Sequence, residues 1–322
     1  MNILRIGIDI MGGDKAPAEI VKGAILASNT INKNIKLVLF GDSVAVKTIC
    51  EQNDFNPEVF EIVHTTETIE MHDHSAKAFQ TKTDSSITKG FEYLATQKID
   101  AFASAGNTGA MLVGAMMIIK PIEGIIRPCL STLLPKTDGK DAILLDIGIN
   151  PDCKPEVLLQ WGIIGSVFAK EVYKIENPKV ALLNVGTEEG KGNLLARTTY
   201  GLMKESRDIN FIGNIEGSDL FRPEIADVVV TDGFTGNIVL KQSEMIYRLA
   251  QKRGIDDDYF NRFNFELYGG TPILGINKPV IVGHGVSKAS AIKNMIINTI
   301  NIVETNLTAK IATQVMATKQ LI

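Results

Sequence analysis

The sequence is poor in cysteine and has neither a long apolar run nor a basic block. Its 322 residues include only three cysteines, Cys50, Cys129 and Cys153, which are far apart and lack the C-x-x-C spacing of a metal site. Scattered cysteines in odd number argue against a disulfide framework and favour a reducing, cytoplasmic location. No apolar run reaches the roughly 18 residues typical of a membrane span. Because the net charge is −4 and no basic face is evident, a nucleic-acid partner is not expected.

Familiar catalytic motifs are missing as well. The stretch 186–192, "GTEEGKG", has one residue too few between its glycines for a P-loop, and Gly192 stands where a P-loop has Ser or Thr. No G-x-G-x-x-G opens the first βα turn, and no G-x-S-x-G occurs. His72 and His74 would share a face of a strand, but no third ligand accompanies them, so no metal and no other cofactor is predicted. These absences disfavour nucleotide hydrolases and α/β-hydrolases.

The chain instead alternates strand-like and helix-like segments. The strand-like runs are largely continuous in apolar residues, as expected for parallel strands covered on both faces. They lie at 3–10, 36–41, 99–103, 141–148, 179–186, 227–233 and 279–285. Helices are predicted at 16–29, 85–97, 108–119, 155–173, 193–204, 235–251 and 287–304. The pattern predicts an α/β fold of three layers, with a mostly parallel sheet and helices on both faces. One domain over 1–322 is predicted, with a small excursion at 251–270 as the alternative.

Small, polar, glycine-rich loops follow most of these strands. They occupy 9–17, 104–110, 146–150, 184–192, 213–217, 231–237 and 283–287. Ligands of open α/β sheets bind beyond the carboxyl ends of the strands, where glycine allows close backbone approach and helix N-termini attract anions. Any one loop is explained equally well as an ordinary turn. Together they predict one cleft that suits a phosphate group.

Six segments, in their order along the chain, resemble the bacterial phosphate acyltransferases of phospholipid synthesis, the PlsX family. They are "DIMGGDKAP", "SAGNTGA", "NVGTEEGKG", "GNIEG", "DVVVTDGFTGN" and "YGGTPILG". The resemblance implies an enzyme that moves a long-chain acyl group from acyl carrier protein to inorganic phosphate. It also implies a homodimer whose fold is similar to isopropylmalate and isocitrate dehydrogenases and to phosphate acetyltransferases. The alternatives are an enzyme acting on acyl-coenzyme A, a dehydrogenase of the isopropylmalate type, and a scaffold that only binds carrier protein.

The chemistry of such a transfer suggests three catalytic residues. Phosphate is itself the nucleophile, so a site has to orient phosphate, stabilise the thioester oxyanion and protonate the leaving thiolate. Lys191 is the predicted cation, Asn237 the predicted oxyanion donor, and His284 the predicted acid. The alternatives are a solvated Lys191 beside Glu188 and Glu189, and a histidine that only orders its loop.

The loops also supply residues predicted to contact substrate. Asn107 and Thr108, at a helix start, are predicted to form a cradle for an anion or carbonyl, and helix capping is compatible with that role. Asp14 is interpreted either as the cap of the following helix or as a group that orients a cation. The full predicted set is Gly12, Gly13, Asp14, Gly106, Asn107, Thr108, Gly109, Asn150, Thr187, Gly190 and Gly236.

Acyl carrier protein is acidic, so a basic docking patch is expected. Arg248, Lys252 and Arg253 lie near the end of one predicted helix and are the candidates for it. The alternative is that they only stabilise the negative end of the helix dipole. The segment 251–266 is short and contains three consecutive aspartates at 256–258, so membrane contact is predicted to be peripheral at most.

Overall fold

Two compact units divide the chain, and both are discontinuous in sequence. The computed structural model describes residues 3–319. Unit 1 contains the residues up to Pro121 together with Phe265–Glu304, and unit 2 contains Ile122–Asn264 and the residues from Thr305 onward. The predicted excursion at 251–270 is therefore divided between the units after Asn264. That residues 1–322 behave as one domain stays a prediction.

The strands and helices alternate along much of the chain, as the sequence pattern predicts. The strands are β1 Leu4–Asp9, β2 Ile35–Gly41, β3 Glu61–His64, β4 Ala101–Ser104, β5 Cys129–Pro135, β6 Asp141–Leu145, β7 Lys179–Leu183, β8 Asn210–Ile215, β9 Val228–Val230, β10 Thr271–Leu274 and β11 Val280–Val282. The α-helices are α1 Ala18–Ser28, α2 Ser43–Gln52, α3 Ser75–Thr81, α4 Ser86–Ala95, α5 Thr108–Gly114, α6 Pro155–Tyr173, α7 Leu194–Glu205, α8 Gly233–Lys252, α9 Asp258–Asn261, α10 Ala289–Glu304 and α11 Leu307–Lys319. A π-helical turn, Ala115–Ile119, continues α5.

The strands of unit 1 form a sheet in which all neighbours except one pair are parallel. Their order is β3-β2-β1-β4-β11-β10, and only β10 and β11 are antiparallel. Every residue of β4 is buried, which requires cover on both faces of the sheet. Phe102 of β4 packs edge-on against Phe40 and Phe91. Gly90 makes room on α4, because a Cβ there would stand 2.1 Å from the Phe102 ring.

The strands of unit 2 are ordered β5-β6-β9-β7-β8, again mostly parallel. Only β5 and β6 are antiparallel. The three valines of β9 are at most 1 % exposed, so this central strand is covered on both faces. Trp161 of α6 is fully buried and donates its indole N–H to the carbonyl of Arg127 at 2.9 Å. These sheets and helices confirm the predicted mostly parallel α/β fold.

Side-chain caps fix the starts of several helices that follow the strands. Asp42, Ser85, Asn107, Asn193 and Asp232 each accept a hydrogen bond from a backbone N–H of the first turn of α2, α4, α5, α7 and α8, respectively. The caps define the start of each of these helices relative to the loop before it. No helix within residues 3–319 has both the length and the apolar character needed to cross a membrane.

Candidate functional site

Glycine-rich loops meet at one edge of the unit 1 sheet. Because β1, β4 and β11 are adjacent and parallel, the loops that follow them leave from the same edge. A Cβ on Gly12 would stand 2.7 Å from the backbone of Gly106. The N–H of Asp14 donates to the carbonyl of Gly285 at 2.8 Å, and a Cβ on Gly13 would stand 3.1 Å from the same oxygen. The predicted substrate contacts in these loops are therefore neighbours in space.

A buried carboxylate that the predicted set omits holds the loops after β1 and β4 together. Asp9 has no exposed surface; its Oδ2 accepts from Ser104 Oγ at 2.6 Å and its Oδ1 from the N–H of Met11 at 2.9 Å. Ser104 Oγ in turn accepts from the N–H of Gly106 at 2.9 Å. Burial raises the pKa of Asp9, and hydrogen bonds from Ser104 and Ser86 oppose the rise.

Both polar atoms of the Asn107 side chain are hydrogen-bonded within the protein. Its Oδ1 accepts from the N–H of Ala110 at 3.0 Å and from Ser75 Oγ at 2.8 Å. Its Nδ2 donates to the carbonyls of Glu70 at 3.0 Å and Asp73 at 3.1 Å. The capping interpretation is confirmed, and the side chain also ties the segment 70–75 to the start of α5. A contact of this side chain with substrate stays a prediction.

The first turn of α5 offers backbone donors. The N–H groups of Thr108 and Gly109 have no acceptor within the helix, because the first turn has no preceding carbonyl to pair with. A Cβ on Gly109 would stand 2.1 Å from Ser75 Oγ, so glycine permits this close packing. The predicted substrate contacts of Thr108 and Gly109 stay predictions.

Asp14 and His284 follow β1 and β11. The interpretation of Asp14 as a helix cap is wrong: α1 begins at Ala18, Pro17 takes the cap position, and no side chain caps the helix. A turn separates the exposed Asp14 from the helix start. The half-buried imidazole of His284 lies against Phe265, with ring centroids 4.5 Å apart. The roles of both side chains toward substrate stay predictions.

One histidine of the pair His72 and His74 has a structural role in the fold. His74 caps α3 by accepting from the N–H of Lys77 at 3.5 Å. Asp73 pairs with Lys82 at 2.6 Å, and this hydrogen bond lowers the pKa of Asp73. Across residues 3–319, no group of three or more His, Cys, Asp or Glu side chains is arranged to hold a metal ion.

A second buried carboxylate, Asp146, organises the loop after β6 in unit 2. Its Oδ1 accepts from the N–H groups of Leu130 and Ile147, both at 2.9 Å. Its Oδ2 accepts from the N–H of Asn150 at 2.7 Å and from Asn150 Nδ2 at 3.0 Å. Burial raises the pKa of Asp146, and the hydrogen bonds from Leu130 and Asn150 oppose the rise. Asn150, a predicted substrate contact, is itself buried.

Asp9 is the last residue of β1 and Asp146 directly follows β6, and the predicted set contains neither. Carboxylates are rarely buried without a structural or functional partner. Their position at the strand end was the sequence signal that could have identified both residues.

The first turn of α8 packs against the Asp146 loop. A Cβ on Gly236 would stand 1.9 Å from the carbonyl oxygen of Asp146. Asn237 Nδ2 donates to the carbonyl of Ile147 at 3.1 Å, which uses one of its two amide hydrogens. The structure thus brings Asn150, Gly236 and Asn237 together. That Asn237 donates to an oxyanion stays a prediction.

The loop after β7 carries the predicted catalytic lysine. The side chain of Lys191 is 52 % exposed, and its Nζ lies 3.8 Å from Glu188 Oε1. An exposed ion pair of that length contributes little energy, so the ammonium can exchange Glu188 for another anion. Asn184 Nδ2 donates to the carbonyl of Lys191 at 3.2 Å and fixes the loop backbone. Thr187 and Gly190 are exposed in the same loop, and their contacts with substrate stay predictions.

The prediction of a loop at 213–217 after a strand is wrong. Residues 213–217 were expected after a strand, but Gly213 and Asn214 lie within β8, paired with Ala181 and Leu182 of β7. The strand escapes detection because it lies at the sheet edge, where one side is open and a continuous apolar run is not needed.

The predicted docking residues lie at the end of α8. Arg248 and Lys252 are exposed and one helical turn apart, and Arg253 is the C-cap residue of α8. Met245 and Leu249, which are 43 % and 54 % exposed, share the face of Arg248 and Lys252. The face thus combines basic and apolar side chains, and its docking role stays a prediction.

The fold is that of the phosphotransacetylases. A phosphotransacetylase from Streptococcus pyogenes is similar in structure with a TM-score of 0.62 and 18 % sequence identity, covering 93 % of this chain and 94 % of that one. Identity at this level establishes the shared fold alone.

Sequence similarity defines the family. The sequence pattern of a family described as "fatty acid synthesis protein" matches residues 4–253. A phosphate acyltransferase from Dictyoglomus turgidum is 42 % identical over 310 residues, covering 90 % of this chain and 91 % of the relative. A phosphate acyltransferase from Thermoanaerobacterium thermosaccharolyticum is 41 % identical over 332 residues, covering 97 % of each chain. The chain belongs to this family of phosphate acyltransferases and is an enzyme of the acyltransferase class.

Proposed function

We propose that this enzyme transfers a long-chain acyl group from the thioester of acyl carrier protein to inorganic phosphate. The products are acyl phosphate, for phospholipid synthesis, and the free carrier thiol. Phosphate as acceptor is supported by the similarity to named phosphate acyltransferases over nine-tenths of the chain. The observation that carries the proposal is the weakly paired ammonium of Lys191 in the glycine-rich loop after β7.

In the proposed reaction, a phosphate oxygen attacks the carbonyl carbon of the thioester. A C–O bond forms and the carbonyl becomes an oxyanion, which then collapses as the C–S bond breaks and the sulfur leaves with the electron pair. Lys191 orients the phosphate and offsets its negative charge, and Asn237 donates to the oxyanion. His284 gives a proton to the leaving sulfur. The reaction needs no nucleophilic side chain.

Cys153 does not suit the role of an acyl acceptor. Burial raises the pKa of its thiol to about 12, and the carboxylates of Asp232 and Asp146 add to that rise. The thiolate is the nucleophilic form of cysteine, so the thiol is unreactive near neutral pH.

The proposed partner docks on the basic and apolar face of α8. Arg248 and Lys252 offer positive charge to an acidic carrier protein, while Leu249 offers apolar contact. The family resemblance further supports a homodimer in the cytoplasm. A molar-mass measurement by light scattering tests the dimer: the mass of one chain across the working concentration range contradicts it.

A thiol-release assay tests the proposed reaction. Purified protein is incubated with hexadecanoyl carrier protein, with and without inorganic phosphate, and free thiol and acyl phosphate are measured separately. Both products are expected in equal amounts and only with phosphate. Thiol release that does not depend on phosphate contradicts the proposal.

Parallel reactions separate the alternatives. Hexadecanoyl-coenzyme A at the same concentration is expected to react with a lower kcat/KM than the carrier thioester; the reverse order favours an enzyme acting on coenzyme A. Carrier binding without turnover favours a scaffold.

A further inference from the structure

A cavity of about 370 Å³ lies within unit 2, at the carboxyl ends of β7 and β9. Its walls come from α6, the end of β7 and the starts of α7 and α8. The loop that carries Lys191 forms part of the wall, because Asn184 and Gly192 both line the cavity. The cavity therefore adjoins the loop to which the proposed function assigns phosphate binding.

The deep walls of the cavity are apolar. Leu158 of α6 and Leu182 of β7 are each 2 % exposed, and Leu195 and Ala196 of α7 complete this side. Val185, which is 79 % exposed, marks the open end beside the glycine-rich loop. A ligand entering past Val185 would exchange water for hydrocarbon as it moves inward.

Three polar side chains of the wall, those of Asp232, Thr235 and Asn184, are already engaged by the protein. Both carboxylate oxygens of Asp232 accept from Thr235, one from its N–H at 2.9 Å and one from its hydroxyl at 2.8 Å. Asn184 donates to the carbonyl of Lys191 and accepts from the N–H of Val185 at 2.8 Å. A ligand rich in amides would find few free partners here, whereas an alkyl chain needs none.

The charge of the wall disfavours an anion. Asp232 contributes a carboxylate, and none of the described residues that line the cavity is Lys or Arg. A phosphate group placed here would meet a like charge without a compensating cation. The cavity and the ammonium of Lys191 therefore suit different parts of the substrates.

We propose that this cavity holds the acyl chain of the substrate, with the thioester carbonyl at the open end near the Lys191 loop. The inference rests on the proposed acyl transfer and adds a subsite to it. An apolar cavity of about 150 Å³ holds one benzene molecule, so 370 Å³ suffices for a chain of roughly a dozen carbons. Chain-length preference is then set by side chains of α6 and α7.

Filling the cavity from α7 tests the subsite. The variant Ala196→Leu adds three carbons to the wall, and Leu195→Phe is a second filling variant in case the first does not fold. Each lost methylene contact weakens binding about fourfold. We expect kcat/KM for hexadecanoyl carrier protein to fall at least about tenfold, with the octanoyl substrate nearly unaffected. Thr198→Leu, on the exposed side of the same helix, is the matched control.

Binding of a fluorescent polyunsaturated fatty acid gives a readout that does not depend on catalysis. Wild type and Thr198→Leu are expected to bind the probe equally, and the filling variants at least about tenfold more weakly. Folded filling variants with an unchanged chain-length profile and unchanged probe binding overturn the subsite while leaving the acyl transfer intact. Probe binding that the filling variants abolish, in a protein without phosphate-dependent transfer, supports the subsite and overturns the proposed function.

Discussion

At the scale of single residues, the surroundings of Lys191 leave its ammonium available for an anion. Its ion pair with Glu188 is 3.8 Å long and exposed. Lys204, by contrast, pairs with Glu189 at 2.7 Å, and this hydrogen bond raises the pKa of Lys204. The two exposed pairs differ in length: Lys204 is within hydrogen-bond distance of its partner, whereas Lys191 is not.

We predict that Lys191→Ala lowers kcat/KM for the carrier thioester by about 10²- to 10³-fold, as loss of one charge-stabilising group does in acyl transfer. Steady-state kinetics at saturating phosphate measure the effect. Lys204→Ala serves as the control and should stay within about twofold of wild type, because its role is an exposed ion pair. Equal activities of wild type and Lys191→Ala would mean that a cation other than Lys191 binds the phosphate.

The buried carboxyl of Asp9 makes stability depend on pH. Its pKa in the folded protein is raised above 3.8, the ordinary value, chiefly by burial. The unfolded chain therefore loses this proton at lower pH than the folded protein does. Between 3.8 and the raised folded pKa, increasing pH stabilises the unfolded state relative to the folded one.

We predict that Asp9→Asn removes this contribution. As pH rises from about 3.8, the free energy of unfolding of wild type should fall relative to that of the variant, and the difference should level off above the folded pKa. Urea unfolding at a series of pH values measures it. A constant difference across the series would mean that Asp9 has the same pKa in both states.

At the scale of elements, the start of α8 is fitted to the loop after β6. Gly236 stands where any side chain would meet the Asp146 carbonyl, at 1.9 Å. Asn237, the next residue, donates to the same loop at 3.1 Å. A shift of the helix start would therefore displace Asn237.

We predict that Gly236→Ala destabilises the protein by about 1–3 kcal/mol, because the added methyl group forces the helix away from the loop. Gly201, within α7, is the matched control: a Cβ there meets nothing within 4 Å. Gly201→Ala should raise stability by about 0.5–1 kcal/mol through helix propensity. Chemical unfolding measures the free energy of unfolding of both variants. An unchanged value for Gly236→Ala would show that the start of α8 moves at little cost.

At the scale of the whole molecule, the charge pattern is uneven even though the net charge is only −4. Arg248 and Lys252 form a small basic face on a mildly acidic protein. Such a face steers an acidic partner to one place, and salt weakens the attraction.

We predict that Arg248→Glu raises KM for the carrier thioester about two- to fivefold at low salt, an amount typical of one exposed charge pair. KM for phosphate should not change, and the difference should shrink in high salt. Lys170→Glu, an exposed reversal on α6, controls for net charge. Similar KM values for both variants would place the docking surface elsewhere.

Much of the fold was predictable because buried strands appear in the sequence as continuous apolar runs. The run at 227–233 predicts the buried β9, and α6 begins and ends at Pro155 and Tyr173 as predicted. Two of the strands that were missed, β8 and β3, lie at sheet edges, where the apolar pattern is weaker. The loop residues were identified as a group, but Asp9 and Asp146 were not, because single carboxylates carry no periodicity.

The sequence by itself determined the alternation of strands and helices and the glycine-rich loops, because both depend on neighbouring residues. Only the tertiary structure decided which partners those loops acquire. Asp9 meets Ser104 across 95 positions, and the helix start at Asn107 is tied to a segment more than 30 residues earlier. The cavity beside the Lys191 loop likewise exists only where α6, β7, α7 and α8 come together. Such contacts are set by the packing of distant segments, which no local pattern encodes.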